Sequence, residues 1–315
     1  MGTRPDWPAM LESQVDRVAA FAERQQGAVS MVQLERAGLS KLQARAWIRQ
    51  ERLGPTAARG VFRMPGAEPT WKQSLWVAIL AGPPSSVASH LSAAALRGLL
   101  RPPEKPHVTV PRGSSGRFGG AVVHHATVPV ADSCRFEGMR VTGVARTIVD
   151  CAVLLDQPTL DGLVDAAIGR NLTTYRRVRA AWDRAGRVRG ADRLSAALPP
   201  YTGGAEPGSE KEAHVLRTFQ RWGLPAPVTQ FVIRDADGRF LARVDFAWPP
   251  WRLGLEYYGD EFHPPRAWAR DDRRLARIEA IHWRIEESDR GDLRPSSMRL
   301  RNLLTDVLAR PPAWP

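Results

Sequence analysis

Cysteine is nearly absent. The chain holds two in 315 residues, Cys134 and Cys151, with no Cys-x-x-Cys spacing and no histidine-rich neighbourhood. That excludes a zinc site of the usual thiolate kind. Cys151 lies inside the apolar TIVDCAVLL and reads as core filler. Long apolar runs are missing too. No uninterrupted stretch reaches the roughly eighteen residues that a membrane span requires, so no membrane partner is expected. The first residues, MGTRPDWPAMLESQVDR, lack the basic-then-apolar shape of an export signal. The expectation is a soluble, non-exported, cytoplasmic protein. Acid is also in short supply. Forty-five Lys and Arg stand against 33 Asp and Glu, a net charge of +12 dominated by arginine. Such a surplus favours a polyanionic partner, because cationic side chains release counterions from phosphates. A genome rich in arginine codons would give the same surplus.

What is present suggests several domains. At roughly 100–200 residues each, this length predicts two or three, and 43% hydrophobic content suffices for their cores. Residues 10–70 read as three short helices and a ribbon. Ser30 with Gln33 and Ser40 with Gln43 have capping-box spacing, while Gly27, Gly38 and Gly54 mark helix ends. LGPTAARGVFRMPG then reads as strand, glycine turn, strand. This is the layout of a winged helix-turn-helix, whose third helix enters the DNA major groove. Lys41, Arg45, Arg49 and Arg52 recur at helical spacing and predict one cationic stripe on that helix. A solvated face on a small bundle would carry the same residues.

Residues 71–198 predict a middle α+β segment. TWKQSLWVAILAG and SSVASHLSAAALRGLL read as helices, KPHVTVP and GAVVHHATVPV as strands, and ARTIVDCAVLL and LDGLVDAAIGRN as helices again. His124 and His125 point to opposite faces of their strand and are read as ordinary core and surface histidines. The arginine-rich stretch from Tyr175 to Arg193 suits either a phosphate backbone or a solvated helix. The sequence from residue 13 to about 100 resembles the N-terminal part of antitoxins from type IV abortive-infection toxin–antitoxin pairs. GAVSMVQLERAGLS, RGVFRMPG and SHLSAAALRGLL carry the resemblance. It implies a DNA-binding scaffold and a cognate toxin protein as a second partner.

PPYTGGAEPG, residues 199–208, has the proline and glycine density of a linker. Beyond it, residues 209–310 predict helix, three strands, helix, strand, helix. The second and third strands are joined by a Pro-Pro-Trp turn in RVDFAWPPWRLGLEYYGDEFH. Leu253, Leu255 and Tyr257 share one face of the third strand; Gly254, Glu256 and Tyr258 share the other. Asp245 and Glu256 can therefore meet on one side of the hairpin. Adjacent carboxylates repel unless a cation lies between them. Mg²⁺, or Mn²⁺, fits such oxygen ligands, and would polarise a phosphate oxygen and acidify a bound water.

These residues resemble the PD-(D/E)XK nucleases, in detail the group related to very-short-patch-repair endonucleases. The resemblance runs through Ser209, Glu212, GLPAPVTQ, VDFAWP, LEYYG, His263, DDRR and HWRI, over most of residues 209–290. It implies that Asp245 and Glu256 hold the metal and that Glu212 completes the acidic cluster. It also implies that His263 activates water or protonates the leaving oxygen, with Asp271 and Arg274 as supports. Glu212 also has capping-box spacing from Ser209, and Asp271 and Arg274 equally suit a salt-bridged helix face. Tyr258 departs from the pattern, which expects lysine or another polar residue there. A neutral phenol with a pKa near 10 activates water poorly, so either His263 does that work or the site is weakened or inactive. HWRI also departs, with His282 where the group has glycine, which predicts an altered turn.

The expectation is thus a mixed α+β chain made of a winged helix, a middle α+β segment and a restriction-endonuclease-like core. Its predicted activity is Mg²⁺-dependent hydrolysis of DNA phosphodiesters, in phage defence or repair. The alternative is a non-catalytic DNA-binding regulator or antitoxin.

Overall fold

The computed structural model describes residues 7–198, 210–258, 276–294 and 297–312. The fold is α+β, with three sheets and helices packed on them. The chain divides into two compact units, Met1–Leu154 with Val178–Val188, and Leu155–Arg177 with Arg189–Pro315.

The first unit opens with α1 (Trp7–Arg24), β1 (Ala28–Ser30), α2 (Met31–Arg36), α3 (Lys41–Arg49), β2 (Gly54–Pro55) and β3 (Val61–Arg63). Both expected capping boxes form. Gln33 N–H donates to Ser30 Oγ at 3.3 Å and Ser30 N–H to Gln33 Oε1 at 3.0 Å. The second box repeats this at Ser40 and Gln43, at 3.2 and 2.8 Å. Each box satisfies two N–H groups that the first turn of a helix leaves unpaired. Gly27 has φ +84, and a Cβ there would lie 2.4 Å from Ala67 Cβ. Only glycine allows this turn, which feeds β1 into a three-stranded sheet ordered β1-β3-β2. The sequence reading had not included β1. Val18, Val29, Leu34, Ala44, Trp47 and Leu53 form the core beneath.

The same unit continues with α4 (Trp71–Ala81), β4 (Val87–Ala88), α5 (His90–Leu96), β5 (His107–Val110), β6 (Val122–His125), β7 (Ser133–Phe136), β8 (Met139–Thr142) and α6 (Val144–Cys151). Their sheet is ordered β6-β5-β4-β8-β7. SSVASHLSAAALRGLL is not one helix, because its first residues form β4. Two buried residues, Val87 and Ala88, are too short a strand to leave a period in the sequence. β5 and β6 pair in parallel, with Thr109 opposite His124. The hairpin β7–β8 was not foreseen. Cys151 is fully buried, as its apolar surroundings implied.

In the second unit, α7 (Gln157–Gly169) and α9 (Ala191–Ala197) pack on each other and on α10 (Glu210–Arg221). The helix between α7 and α9, α8, spans Tyr175–Ala185. The sequence had assigned residues 155–177 and 189–198 to the middle segment. Here they cluster with the C-terminal residues, with α7 and α9 packed on α10. The expected linker lies outside the described residues.

That sheet is ordered β12-β11-β10-β9, from β9 (Val228–Arg234), β10 (Phe240–Trp248), β11 (Leu253–Tyr257) and β12 (Arg284–Ser288). β9, β10 and β11 are antiparallel neighbours, whereas β12 joins β11 in parallel after a connection of which residues 276–279 are helical. α11 (Arg299–Leu308) follows. One face of the sheet, with Phe246, Trp248, Leu253 and Leu255, packs against Val215, Leu216 and Phe219 of α10 and Leu300, Leu304 and Leu308 of α11. Ile233, Ala242, Val244 and Ala247 pack against Ile278. A Cβ on Gly254 would come within 2.7 Å of Ile285 Cδ1. His282 adopts φ +62, the left-handed conformation that glycine takes readily, so the altered turn keeps a glycine-like backbone.

Candidate functional site

Two sets of predicted residues fall in the described structure. The first is the cationic face of α3. Lys41, Arg45 and Arg49 are exposed along the helix, and Lys41 Nζ lies 4.0 Å from Glu35. Arg52 does not continue the stripe. The helix ends at Arg49, Glu51 turns left-handed at φ +59, and Arg52 N–H donates to Trp47 O at 2.9 Å. The Arg52 guanidinium then stands 5.9 Å from the Trp47 ring centroid, a cation–π contact. Helical spacing predicts position only while the helix lasts, and here it stops three residues early.

The second set sits at one end of the C-terminal sheet. Regular β10–β11 pairing ends at Phe246 opposite Leu255. Asp245 and Glu256 are each the next residue beyond that pair, on the two inner strands of the sheet. Asp245 is held by two donors. Gln230 Nε2 reaches Oδ1 at 3.0 Å, and Tyr257 N–H reaches Oδ2 at 3.0 Å. Gln230 adopts φ +51, which costs a non-glycine residue on the order of 1 kcal/mol. That conformation lies within the β9 segment that pairs with β10, and the Gln230 amide crosses to Asp245.

Glu256 lies opposite Glu287 in the parallel β11–β12 register. The Tyr258 hydroxyl stands between them, 2.8 Å from Glu256 Oε2 and 3.2 Å from Glu287 Oε1. A phenol has one proton to give, so the shorter contact is the stronger bond. The Tyr258 N–H donates to Ser288 O at 3.0 Å, which fixes the ring's origin. Burial raises the Tyr258 pKa well above its ordinary value, and Glu256 and then Glu287 raise it further. The ring is therefore a neutral hydrogen-bond donor at any ordinary pH, and no tyrosinate base exists there.

Glu212 is half-buried in the first turn of α10. His263, Asp271, Arg274 and Ser209 lie outside the described residues. The sequence reading missed Gln230 and Glu287. Gln230 stands in GLPAPVTQ and Glu287 follows HWRI, so both segments had been noticed without these side chains.

The donor chemistry suits a hard cation. Asp245 and Glu256 offer carboxylate oxygens, each able to accept beyond the bonds described. Among the described residues, no group of three or more His, Cys, Asp or Glu is arranged to hold a metal. From the described strands such an ion would take Asp245 and Glu256, and would complete its shell from further ligands such as water and phosphate, as Mg²⁺ commonly does.

No family model matches the chain. Two proteins of Mycobacterium tuberculosis are similar to it, one from strain CDC 1551 / Oshkosh and one from strain H37Rv. Each is described as uncharacterized and is 34% identical over 169 residues, 53% of this chain and 60% of the relative. The chain thus spans three fifths of the length of the relatives it matches. Among the described residues, no helix is long and apolar enough to cross a membrane.

Two other polar clusters lie in the first unit. Arg146, itself buried, donates to Asp150 at 2.7 Å and lies 3.6 Å from Asp132, which also accepts from Arg184 at 2.5 Å. Part of the arginine-rich Tyr175–Arg193 stretch is therefore bound to a buried acid. Burial lifts Asp150 to about 6 against the opposing pull of Arg146. His90, His107 and His124 stack nearby, with His90 and His124 centroids 3.5 Å apart and His107 Nδ1 3.0 Å from His124 Nε2. Burial is the main cause that pushes all three below the usual histidine value, His124 to about 4. His125, on the other face, is exposed.

Proposed function

We propose that the chain binds DNA through its first residues and that its C-terminal unit hydrolyses phosphodiester bonds as a Mg²⁺- or Mn²⁺-dependent endonuclease. The carrying observation is that Asp245 and Glu256 flank the last paired residues, Phe246 and Leu255, of two neighbouring antiparallel strands. The order α10-β9-β10-β11, crossover, β12, α11 supports the likeness to PD-(D/E)XK nucleases that the motifs suggested. The helix, helix, helix, ribbon order at the start supports a winged helix, with Lys41, Arg45 and Arg49 outward on its third helix.

In this reading Asp245 and Glu256 hold the metal, which when bound supplies Lewis-acid polarisation of the phosphate and an acidified water. Gln230 and the Tyr257 N–H fix the Asp245 carboxylate in one orientation. Glu212 is proposed as a third acid, and His263 as the group that moves a proton, with Asp271 and Arg274 supporting them. Tyr258 orients Glu256 and carries no charge.

A second reading has its own observation. The Tyr258 hydroxyl sits between Glu256 and Glu287 where the related pattern has a cation. A neutral donor that ties both acids without metal suits a non-catalytic DNA-binding regulator or antitoxin, whose partner would be a toxin protein. Cleavage of supercoiled plasmid and mismatched duplex decides between the two. The endonuclease requires cutting that depends on Mg²⁺ or Mn²⁺ and is lost in Asp245→Asn. DNA binding with no metal-dependent cutting on either substrate leaves the regulator.

A further inference from the structure

The C-terminal unit carries a second polar feature that the carboxylate site does not use. A groove of about 410 Å³ runs between α10, the turn after β12 and the start of α11. Arg221, Arg290, Arg294 and Arg301 line it, together with Trp222 and His214. None of the described residues lining it is acidic. The four arginines come from three segments: Arg221 from α10, Arg290 and Arg294 from the turn after β12, and Arg301 from α11. Burial lowers the His214 pKa, and Arg217, Arg221 and Arg290 lower it further against the opposing pull of Asp165. Trp222 is half-buried against Phe219, with ring centroids 6.0 Å apart, so it offers a braced aromatic face.

The groove is linked to the carboxylates through the backbone. β12 runs parallel to β11, which sets Ser288 beside Tyr257, and Ser288 O accepts the Tyr258 N–H. Arg290 follows two residues later. Arg290 thus leaves the end of β12, the strand that bears Glu287 and pairs with the strand bearing Glu256.

We propose that this groove seats a single DNA strand leaving the carboxylate site, its phosphates on Arg290, Arg294, Arg301 and Arg221 and one base stacked on Trp222. The path rests on the endonuclease reading, whereas the groove's affinity for a strand does not. Four arginines and a braced tryptophan lining one groove match the pairing of phosphate contacts and base stacking by which proteins hold single strands.

The test uses the full chain in EDTA, so that no cleavage occurs. Labelled oligothymidylate is titrated at rising NaCl concentration. Each phosphate contact on a single strand contributes about 0.7 to the slope of log affinity against log salt. Arg294→Ala/Arg301→Ala should therefore flatten the slope by about 1.4. Binding should also quench tryptophan emission, and Trp222→Phe should lose that quench. Unchanged slope and unchanged quench would overturn the groove. Equal quenching by inorganic phosphate at the same phosphate concentration would also overturn it, since a free-anion pocket would then explain the site. Should circular dichroism show that the double alanine variant is unfolded, Arg294→Gln/Arg301→Gln keeps the side-chain volume and gives the same readout. A wild type that binds oligothymidylate here yet cuts nothing with Mg²⁺ removes the endonuclease reading and keeps the groove. Metal-dependent cutting with a slope unchanged in the variants removes the groove alone.

Discussion

The hydroxyl of Tyr258 donates to Glu256 Oε2 at 2.8 Å, two residues back along the chain, and reaches Glu287 on the neighbouring strand at 3.2 Å. One neutral side chain therefore separates two carboxylates that parallel pairing sets side by side. Removing the hydroxyl leaves like charges adjacent, which destabilises both. Tyr258→Phe should lose about 1 kcal/mol at pH 7–8, the low end for a bond to a charged group because the site is partly exposed. Added Mg²⁺ should raise its melting temperature more than that of the wild type, since binding to the folded state stabilises by mass action. Tyr258→Lys restores a cation between the acids. New metal-dependent cutting in that variant, from a silent wild type, would identify a lapsed nuclease. Equal melting of Tyr258→Phe and wild type, with and without metal, would show that the bridge does not matter.

The same bridge gives a pH signature. The folded Tyr258 pKa lies above the unfolded value, so its stabilisation is complete below about 10 and is lost as pH rises beyond that. Absorbance of tyrosinate during alkaline titrations of wild type and Tyr258→Phe should show one tyrosine fewer ionising only with unfolding in the variant, a comparison that sets aside the fully buried Tyr175. Ionisation of every tyrosine in the folded chain near pH 10 contradicts the geometry.

On α3, Arg45→Ala and Arg49→Ala should each weaken duplex binding. A lost base contact costs about 1–3 kcal/mol, and a lost phosphate contact reduces the salt slope by about 1. Arg52→Ala should change the slope much less, because its guanidinium lies over Trp47 and past the helix end. A larger effect at Arg52 than at Arg45 would place the DNA against the turn and not the helix face.

Arg146 neutralises two buried acids, Asp132 and Asp150. Arg146→Met should destabilise the chain by about 3–5 kcal/mol at pH 7.5, the usual cost of leaving buried charge unpaired. Thermal melts at lower pH should recover part of that loss. Asp150 already titrates at about 6, so its folded pKa lies above its unfolded one, and removing the cation raises it further. Protonation on going through and below that value then relieves the variant. A loss that is independent of pH from 7.5 to 5 would mean that packing, and not charge, is what Arg146 supplies.

The stacked histidines make the opposite demand. Their folded pKa values lie below the unfolded 6.5, so the stability they provide is present above 6.5 and is lost as pH falls toward about 4 for His124. His124→Gln should flatten the acid limb of the melting profile over that interval. A limb of unchanged steepness would assign acid unfolding to other groups.

Local chemistry decided what the sequence could show. Ser30 with Gln33 and Ser40 with Gln43 close capping boxes within one helical turn, so spacing alone determined them. Asp245 and Glu256 each lie one residue beyond the paired part of their hairpin, a position set by the short turn that joins its strands. Leu253, Leu255 and Tyr257 followed strand alternation onto the core. What depends on distant chain segments left no such mark. Glu287 reaches Glu256 only because β12 pairs in parallel after a crossover, and Gln230 reaches Asp245 only from a left-handed backbone. His90, His107 and His124 come from a helix and two strands, and no spacing in the sequence announces their stack. Arg52 left its stripe because the helix ended, and residues 155–177 joined the C-terminal sheet's unit because α7 had apolar surface to bury against α9 and α10. The sequence by itself determined which residues carry charge, cap helices and alternate along strands, since those preferences act over a few residues. Only the tertiary structure decided that the Tyr258 hydroxyl stands between Glu256 and Glu287, because pairing across the sheet brings those two acids within its reach.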